Sequence, residues 1–150
     1  MNVVTREEKK FLISIEEFRN KSHYLDSLLI QDEHNGIDGY IIRSLYFDTV
    51  YDDDFFEKLE GTETRRKIRL RIYDPKHDFA MLEMKQKQGA SQKKRSLRMT
   101  KADAEALIAG KYEVLLKYEE DFARECYGLM HYKCYRPKTI VQYTRKAYIA

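Results

Sequence analysis

The segment from Lys67 to Tyr73 alternates polar and apolar side chains without interruption. Side chains of a β-strand point alternately to its two faces, so Lys67, Arg69 and Arg71 share one face, while the branched apolar residues between them share the other. Cations on the solvent side of an antiparallel strand are common. A polar face that carries only cations nevertheless favours an anionic ligand.

The same alternation recurs in three other segments of the chain. Their charged and polar residues are Glu83, Lys85 and Lys87, then Tyr143 and Arg145, and near the N-terminus Arg6, Glu8 and Lys10. Repetition on several strands predicts a sheet with one strongly basic face, because residues two positions apart on each strand lie on the same side.

The length and composition of the chain limit the class of protein that contains this sheet. With 150 residues, 43% hydrophobic and 35% charged, the chain is predicted to form one globular domain. Its net charge is only +3, but the stretch from Lys85 to Lys101 holds seven Lys or Arg and no acid. Cys126 and Cys134 lack zinc-site spacing, and no apolar run approaches the ~20 residues of a membrane span. We therefore expect a reduced, cytoplasmic protein whose membrane association, if any, comes through a partner.

The remaining patterns predict an α+β fold of antiparallel strands with helices outside. Strands are predicted over 7–14, 40–48, 65–73, 79–88, 93–99 and 139–149, and helices over 15–30, after 52, from 100 to 110, and over 113–131. Thr100 with Asp103 resembles the capping box of the third helix.

Several families of catalytic site are excluded by missing motifs. The chain has no G-x-x-x-x-G-K-[ST] and no G-x-G-x-x-G, and its four histidines lack metal-ligand spacing. The acid-rich stretch from Asp48 lacks the glycine and glutamate positions of an EF-hand. Basic strand faces remain, and phosphoryl binding and transfer need little else: cations hold the phosphates, and a divalent metal neutralises developing charge.

An ordered set of motifs carries a family resemblance. The motifs are Arg6-x-Glu8-x-Lys10-Phe11, Ser44-Leu45-Tyr46-Phe47-Asp48-Thr49, Gly61 followed by Arg66 to Tyr73, Leu82-Glu83-x-Lys85, Lys93-Lys94-Arg95 and Val141-x-Tyr143-x-Arg145-x-Ala147. The chain resembles the prokaryotic VTC domain, the polyphosphate polymerase domain of the vacuolar transporter chaperone family, in the triphosphate tunnel metalloenzyme superfamily. The resemblance implies an antiparallel β-tunnel that takes the γ-phosphate of ATP, with Mn²⁺ or Mg²⁺, and adds it to polyphosphate.

The resemblance also implies roles for individual residues. Arg69, Arg71, Lys85 and Arg145 are expected to be catalytic. The expected phosphate-binding residues are Lys10, Lys67, Lys87, Lys93 and Arg95, of which Lys67 and Lys87 join by alternation. Within the run of three cations, alternation places Lys93 and Arg95 together and Lys94 opposite. Glu8 and Glu83 match acidic tunnel positions, where they would hold metal or form internal ion pairs.

VTC domains continue with further strands beyond the segment that matches here. We therefore expect residues 1–150 to form about the N-terminal two-thirds of the family domain, with an incomplete tunnel that binds ATP, triphosphate or polyphosphate but turns over poorly. Its edge strands would need cover from a partner or from a second copy in a homo-oligomer.

Two alternative functions stay open. A triphosphatase of the same superfamily typically begins with Glu-x-Glu-x-Lys, where this chain has Arg6-x-Glu8-x-Lys10. A non-catalytic polyanion-binding module needs only the basic face; nucleic acid is not expected as its ligand, because strand tyrosines more often pack than stack on bases.

Overall fold

The computed structural model describes residues 2–150, which form a curved β-sheet with helices against its convex face. The strands are β1 (Asn2–Arg6), β2 (Ile30–Gln31), β3 (Tyr40–Asp48), β4 (Thr64–Ile72), β5 (Phe79–Gln88), β6 (Ser91–Thr100), β7 (Arg136–Arg145) and β8 (Tyr148–Ile149). The helices are α1 (Ile15–Leu28), α2 (Asp53–Glu60), α3 (Lys101–Ile108) and α4 (Asp121–Tyr132), with a 3₁₀ helix over Tyr112–Lys117. The predicted α+β class is confirmed.

The main sheet has six strands in the order β1-β6-β5-β4-β3-β7, and every neighbouring pair is antiparallel. The short strands β2 and β8 pair separately. Within residues 2–150, β1 and β7 are the two edges of the main sheet and do not pair with each other. The sheet formed by the described residues is therefore open.

The hydrophobic core lies between the convex face of the sheet and the helices that follow β6. Ile68, Leu70 and Leu82 of the sheet are buried against residues such as Leu115 and Phe122. The alternation of β4 thus places its apolar face on the core, and it leaves Arg69 and Arg71 on the concave side.

The prediction of a strand over 7–14 is wrong. β1 pairs with β6 from Asn2 opposite Ser96 to Arg6 opposite Gln92, and β6 begins one residue earlier, at Ser91. The chain beyond Arg6 therefore has no strand left to pair with. At the other end of the segment, Ser14 is the N-cap of α1, where it exchanges hydrogen bonds with Glu17 in a capping box.

The predicted helix over 113–131 is also wrong, since it is two helices separated by an extended segment. Tyr118 has extended backbone angles and marks the break. Its hydroxyl donates to Asp103 at 2.8 Å and accepts from the Thr100 backbone N–H at 3.1 Å, which fixes it to the start of α3. This tertiary anchor overrides the apolar periodicity that predicted one helix.

The predicted final strand over 139–149 is split between β7 and β8. Asn35 accounts for the interruption, because its amide donates to the carbonyl of Ala147 and accepts from the N–H of Ala147. Gly39 packs tightly beside the same stretch: it has a positive φ of 94°, and a Cβ there would overlap the backbone carbonyl of Arg145.

The helix α1 begins at the predicted residue, but none of its residues is buried. Among residues 2–150, no helix is both long enough and apolar enough to span a membrane.

Candidate anion-binding site

The concave face of the sheet holds a cavity of about 410 Å³, here called the basic cavity. Seven of its thirteen lining residues are Lys or Arg. The lining consists of Val4, Arg6, Glu8, Lys10, Tyr46, Arg69, Arg71, Tyr73, Lys85, Gln92, Lys94, Tyr143 and Arg145. Cations from five strands and from the segment after β1 thus converge on one surface.

The strand register explains this convergence. Directly opposite residues on neighbouring strands face the same side of a sheet. Arg69 lies opposite Tyr46 of β3 and Glu83 of β5, and Arg71 lies opposite Ser44 of β3. The two arginines are therefore flanked on the concave face by hydroxyl and carboxylate groups that can orient them.

Glu83 is the buried counterion beneath the cavity, with only 2% of its surface exposed. Its carboxylate accepts a hydrogen bond from Arg69 Nε at 2.9 Å and lies 3.5 Å from Lys94 Nζ and 3.7 Å from Arg71 Nε. Burial alone raises the pKa of Glu83, but the attraction of Arg69, Lys94 and Arg71 outweighs it and lowers the pKa. Glu83 therefore stays ionised and holds three cations together.

The two arginines are fixed further by hydroxyl groups. Arg69 donates to the Tyr46 hydroxyl at 3.0 Å, while Arg71 donates to Ser44 Oγ at 3.1 Å and to the Tyr143 hydroxyl at 3.2 Å. A guanidinium has five N–H donors. The hydrogen bonds described above use two of these donors on each arginine. Both guanidinium groups are therefore held in place, and they still line the cavity. Such preorganised forks suit the bidentate binding of phosphate oxygens.

The segment after β1 closes one side of the cavity. Glu8 accepts a hydrogen bond from Lys85 Nζ at 2.9 Å and lies 3.9 Å from Lys10 Nζ. The hydrogen bond from Lys85 is the main cause of the lowered pKa of Glu8, so this carboxylate is also ionised at neutral pH. Arg6 is the last residue of β1, and Glu8 and Lys10 lie in the segment without strand structure that follows it; all three line the cavity.

Arg145 lies at the opposite side, on the edge strand β7, directly across from Tyr40. Burial alone lowers the pKa of Arg145, but its hydrogen bond with Tyr40 and the neighbouring tyrosine hydroxyls outweigh this effect and raise the pKa. Tyr40 and Tyr73 pack at 6.2 Å between ring centroids. Tyrosines therefore flank Arg145 at this side of the cavity, whereas Glu8 and Lys10 flank Lys85 at the other.

Most of the predicted site residues are brought together here. Arg69, Arg71, Lys85, Arg145, Lys10 and Glu8 line the basic cavity, and Lys67 and Lys87 line an adjoining depression. Their roles in binding or catalysis stay predictions.

Arg95 and Lys93 are the exceptions, and their assignment to the basic face is wrong. Arg95 faces the helices, where it donates to Glu125 Oε1 at 2.9 Å and lies over the ring of Phe122. Lys93 shares the face of Arg95 by alternation and is exposed. The residue that sequence reasoning missed is Lys94, which lines the cavity instead.

A signal for Lys94 was present in the sequence. Leu97 and Met99 are apolar and lie in the same strand, so they mark the core face. Counting back in steps of two places Arg95 and Lys93 on that core side and Lys94 on the other.

The carboxylates differ in how well they fit a metal ion. Residues 2–150 contain no group of three or more His, Cys, Asp or Glu placed to hold one. Glu83 is surrounded by cations, which fits an internal ion pair rather than a metal ligand. Glu8 is partly exposed at the cavity wall. It is ion-paired as well, with Lys85 and Lys10, so binding of Mg²⁺, which often takes one or two carboxylates together with substrate phosphates, would require Glu8 to release Lys85.

Comparisons with known proteins identify the family and show a similar fold. A family model described as VTC domain matches residues 5–150. The fold is similar to the crystal structure of a "putative adenylate cyclase" from Bacillus halodurans, with a TM-score of 0.57 at 13% sequence identity. The match covers 95% of this chain and 63% of that one, so the chain spans less than two thirds of the neighbour's length. No curated protein matches the sequence.

Proposed function

Because the chain belongs to the VTC-domain family, within the triphosphate tunnel superfamily, we propose that its basic cavity binds the phosphates of ATP, triphosphate or polyphosphate. We further propose that the complete domain transfers the γ-phosphate of ATP to a polyphosphate chain. The observation that carries the proposal is the charge of the cavity: seven Lys or Arg line it, against Glu8 at the wall and Glu83 beneath. An anionic ligand would supply the missing counter-charge.

Each cation has a distinct part in this proposal. Arg69 and Arg71 bind phosphate oxygens with oriented guanidinium groups. Lys85 and Lys10 supply positive charge at one side of the cavity, and Arg145 supplies it at the other. Phosphoryl transfer depends mostly on positioning and charge stabilisation, so no protein nucleophile is needed. Glu8 would hold Mg²⁺ or Mn²⁺ together with ligand phosphates, and the ion would neutralise charge on the transferred group.

The binding step is tested by the Arg71→Ala variant and tripolyphosphate. Charge-assisted hydrogen bonds contribute about 1.5–3 kcal/mol, so the variant should bind tripolyphosphate about ten- to a hundredfold more weakly in calorimetric titrations at fixed salt. Arg124→Ala is the matched control, since Arg124 is exposed on α4 and forms an ion pair with Asp121 of the same helix. Equal affinities for the two variants would refute the proposed role of the cavity.

The transfer step is tested on the complete domain with ATP and Mn²⁺ or Mg²⁺. Polyphosphate and ADP are the expected products. Release of orthophosphate without polymer would instead favour the triphosphatase alternative, and binding without either product would favour the non-catalytic polyanion-binding module.

A further inference from the structure

A second depression adjoins the basic cavity near the β5–β6 hairpin. Its volume is about 160 Å³, and it shares Lys10, Lys85 and Gln92 with the cavity. Seven of its nine lining residues are Lys or Arg, the other two are glutamines, and no carboxylate from the described part of the chain lines it. It therefore continues the basic surface but lacks the acidic side chains that accompany the cavity.

The strand register places like charges directly opposite each other in this depression. Lys67 of β4 faces Lys85 of β5, and Arg65 faces Lys87. Directly opposed like charges destabilise a sheet. The charge of Lys85 is offset by its ion pair with Glu8, whereas no carboxylate of residues 2–150 forms an ion pair with Lys67, Arg65 or Lys87.

Lys67 shows the consequence of this arrangement. Burial is the largest cause of its lowered pKa, which falls to about 8, and the neighbouring ammonium groups of Lys58, Lys10 and Lys85 add to the effect. A lysine that is fully exposed to solvent is not surrounded by other ammonium groups in this way. The free protein thus holds Lys67 among other ammonium groups, and no carboxylate of residues 2–150 is paired with it.

The depression lies in line with the arginines of the cavity. Arg71, Arg69, Lys67 and Arg65 occupy every second position of β4, so they follow one another along a single face. At ~3.4 Å per residue, this row extends about 20 Å. That length exceeds what three linked phosphates can span, so a triphosphate in the cavity would leave the Lys67 end of the row without an anion.

We propose that Lys58, Arg65 and Lys67 form an extension subsite that binds the phosphates of a long polyphosphate chain beyond those held by Arg69 and Arg71. This subsite rests on the proposed function and adds a specificity to it: the protein would bind long polyphosphate more tightly than triphosphate. Lys58 contributes from the last turn of α2 and therefore adds to the subsite from outside the sheet.

The test uses the double variant Lys58→Gln/Arg65→Gln. Dissociation constants for tripolyphosphate and for a long-chain polyphosphate of narrow length distribution are measured at the same salt concentrations. The matched control is Lys111→Gln/Arg124→Gln, which removes the same two charges outside the concave face. Thermal unfolding of both variants checks that each is folded.

The expected result is a change in the ratio of the two affinities. In the test variant the preference for the long chain should fall by about tenfold, with less than a threefold loss for tripolyphosphate, and the control should keep the wild-type preference. The salt dependence of long-chain binding should also become shallower by about one to two units of log–log slope in the test variant alone.

The extension subsite and the proposed function are refuted by different results. An unchanged preference in the test variant, or an equal loss in the control, would overturn the extension subsite while leaving the proposed function intact. Failure of the wild-type protein to bind tripolyphosphate at all would overturn the proposed function and the subsite with it.

Discussion

Replacing Glu83 by Gln should expose how strongly the cations of the basic cavity repel one another. The substitution keeps the shape of the side chain and an oxygen that can accept from Arg69, but it removes the charge that Arg69, Arg71 and Lys94 share. Since arginine does not lose its proton in proteins, the repulsion cannot be relieved by deprotonation of Arg69 or Arg71.

The expected size of the effect follows from burial. Removing one partner of a buried ion pair typically costs about 3–5 kcal/mol, and Glu83 is only 2% exposed. We expect the Glu83→Gln variant to lose about 3 kcal/mol of unfolding free energy in urea, because one hydrogen bond from Arg69 survives. Glu125→Gln is the control: Glu125 pairs with Arg95 on the other face, its side chain is 50% exposed, and its loss should cost about 0–1 kcal/mol.

Tripolyphosphate should reverse part of this loss, because it brings anionic oxygens into the same cavity. At equal ligand concentration, the rise in unfolding free energy should be larger for Glu83→Gln than for the wild type by at least about 1.4 kcal/mol, which corresponds to tenfold tighter binding. A loss no larger than that of Glu125→Gln, or an equal ligand effect on the variant and the wild type, would refute the role of Glu83 as counterion.

Two further predictions concern residues outside the cation set. Burial raises the pKa of Asp54, whose carboxylate accepts from the Tyr135 hydroxyl, to about 6. Stability from this group is therefore present in full below the ordinary pKa of 3.8 and lost as the pH rises through about 6. In urea unfolding between pH 4 and 8, the wild type should lose about 2.4 kcal/mol more than Asp54→Asn, and parallel pH profiles would contradict this. The Gly39→Ala variant should lose at least about 1–2 kcal/mol of unfolding free energy in the same assay. It should also bind tripolyphosphate more weakly, because the added Cβ displaces the backbone of Arg145. Unchanged affinity would show that the position of Arg145 does not matter for binding.

The sequence predicts the central strands well because their alternation agrees with their burial. β3 and β5 have the predicted bounds, and β4 differs by one residue at each end. The shared face of Arg69 and Arg71 follows directly from this period, although their guanidinium groups are oriented by residues of other strands.

Features that depend on distant partners could not be predicted in the same way. The end of β1 is set by where β6 begins, and the break at Tyr118 is set by its hydrogen bonds to α3. The choice between an ion pair and a metal ligand for Glu83 required the positions of its three cations. Lys94 is different, since the pattern of Leu97 and Met99 already contained its orientation.

The most direct test of a phosphate-binding concave face is a crystal structure of the protein with tripolyphosphate. We expect phosphate oxygens within hydrogen-bond distance of the Arg69 and Arg71 guanidinium groups, in the cavity bounded by Lys85 and Arg145. Tripolyphosphate bound instead against Arg95 and Lys93 on the helix-covered side, with the concave face empty, would show that the concave face is not the phosphate-binding surface.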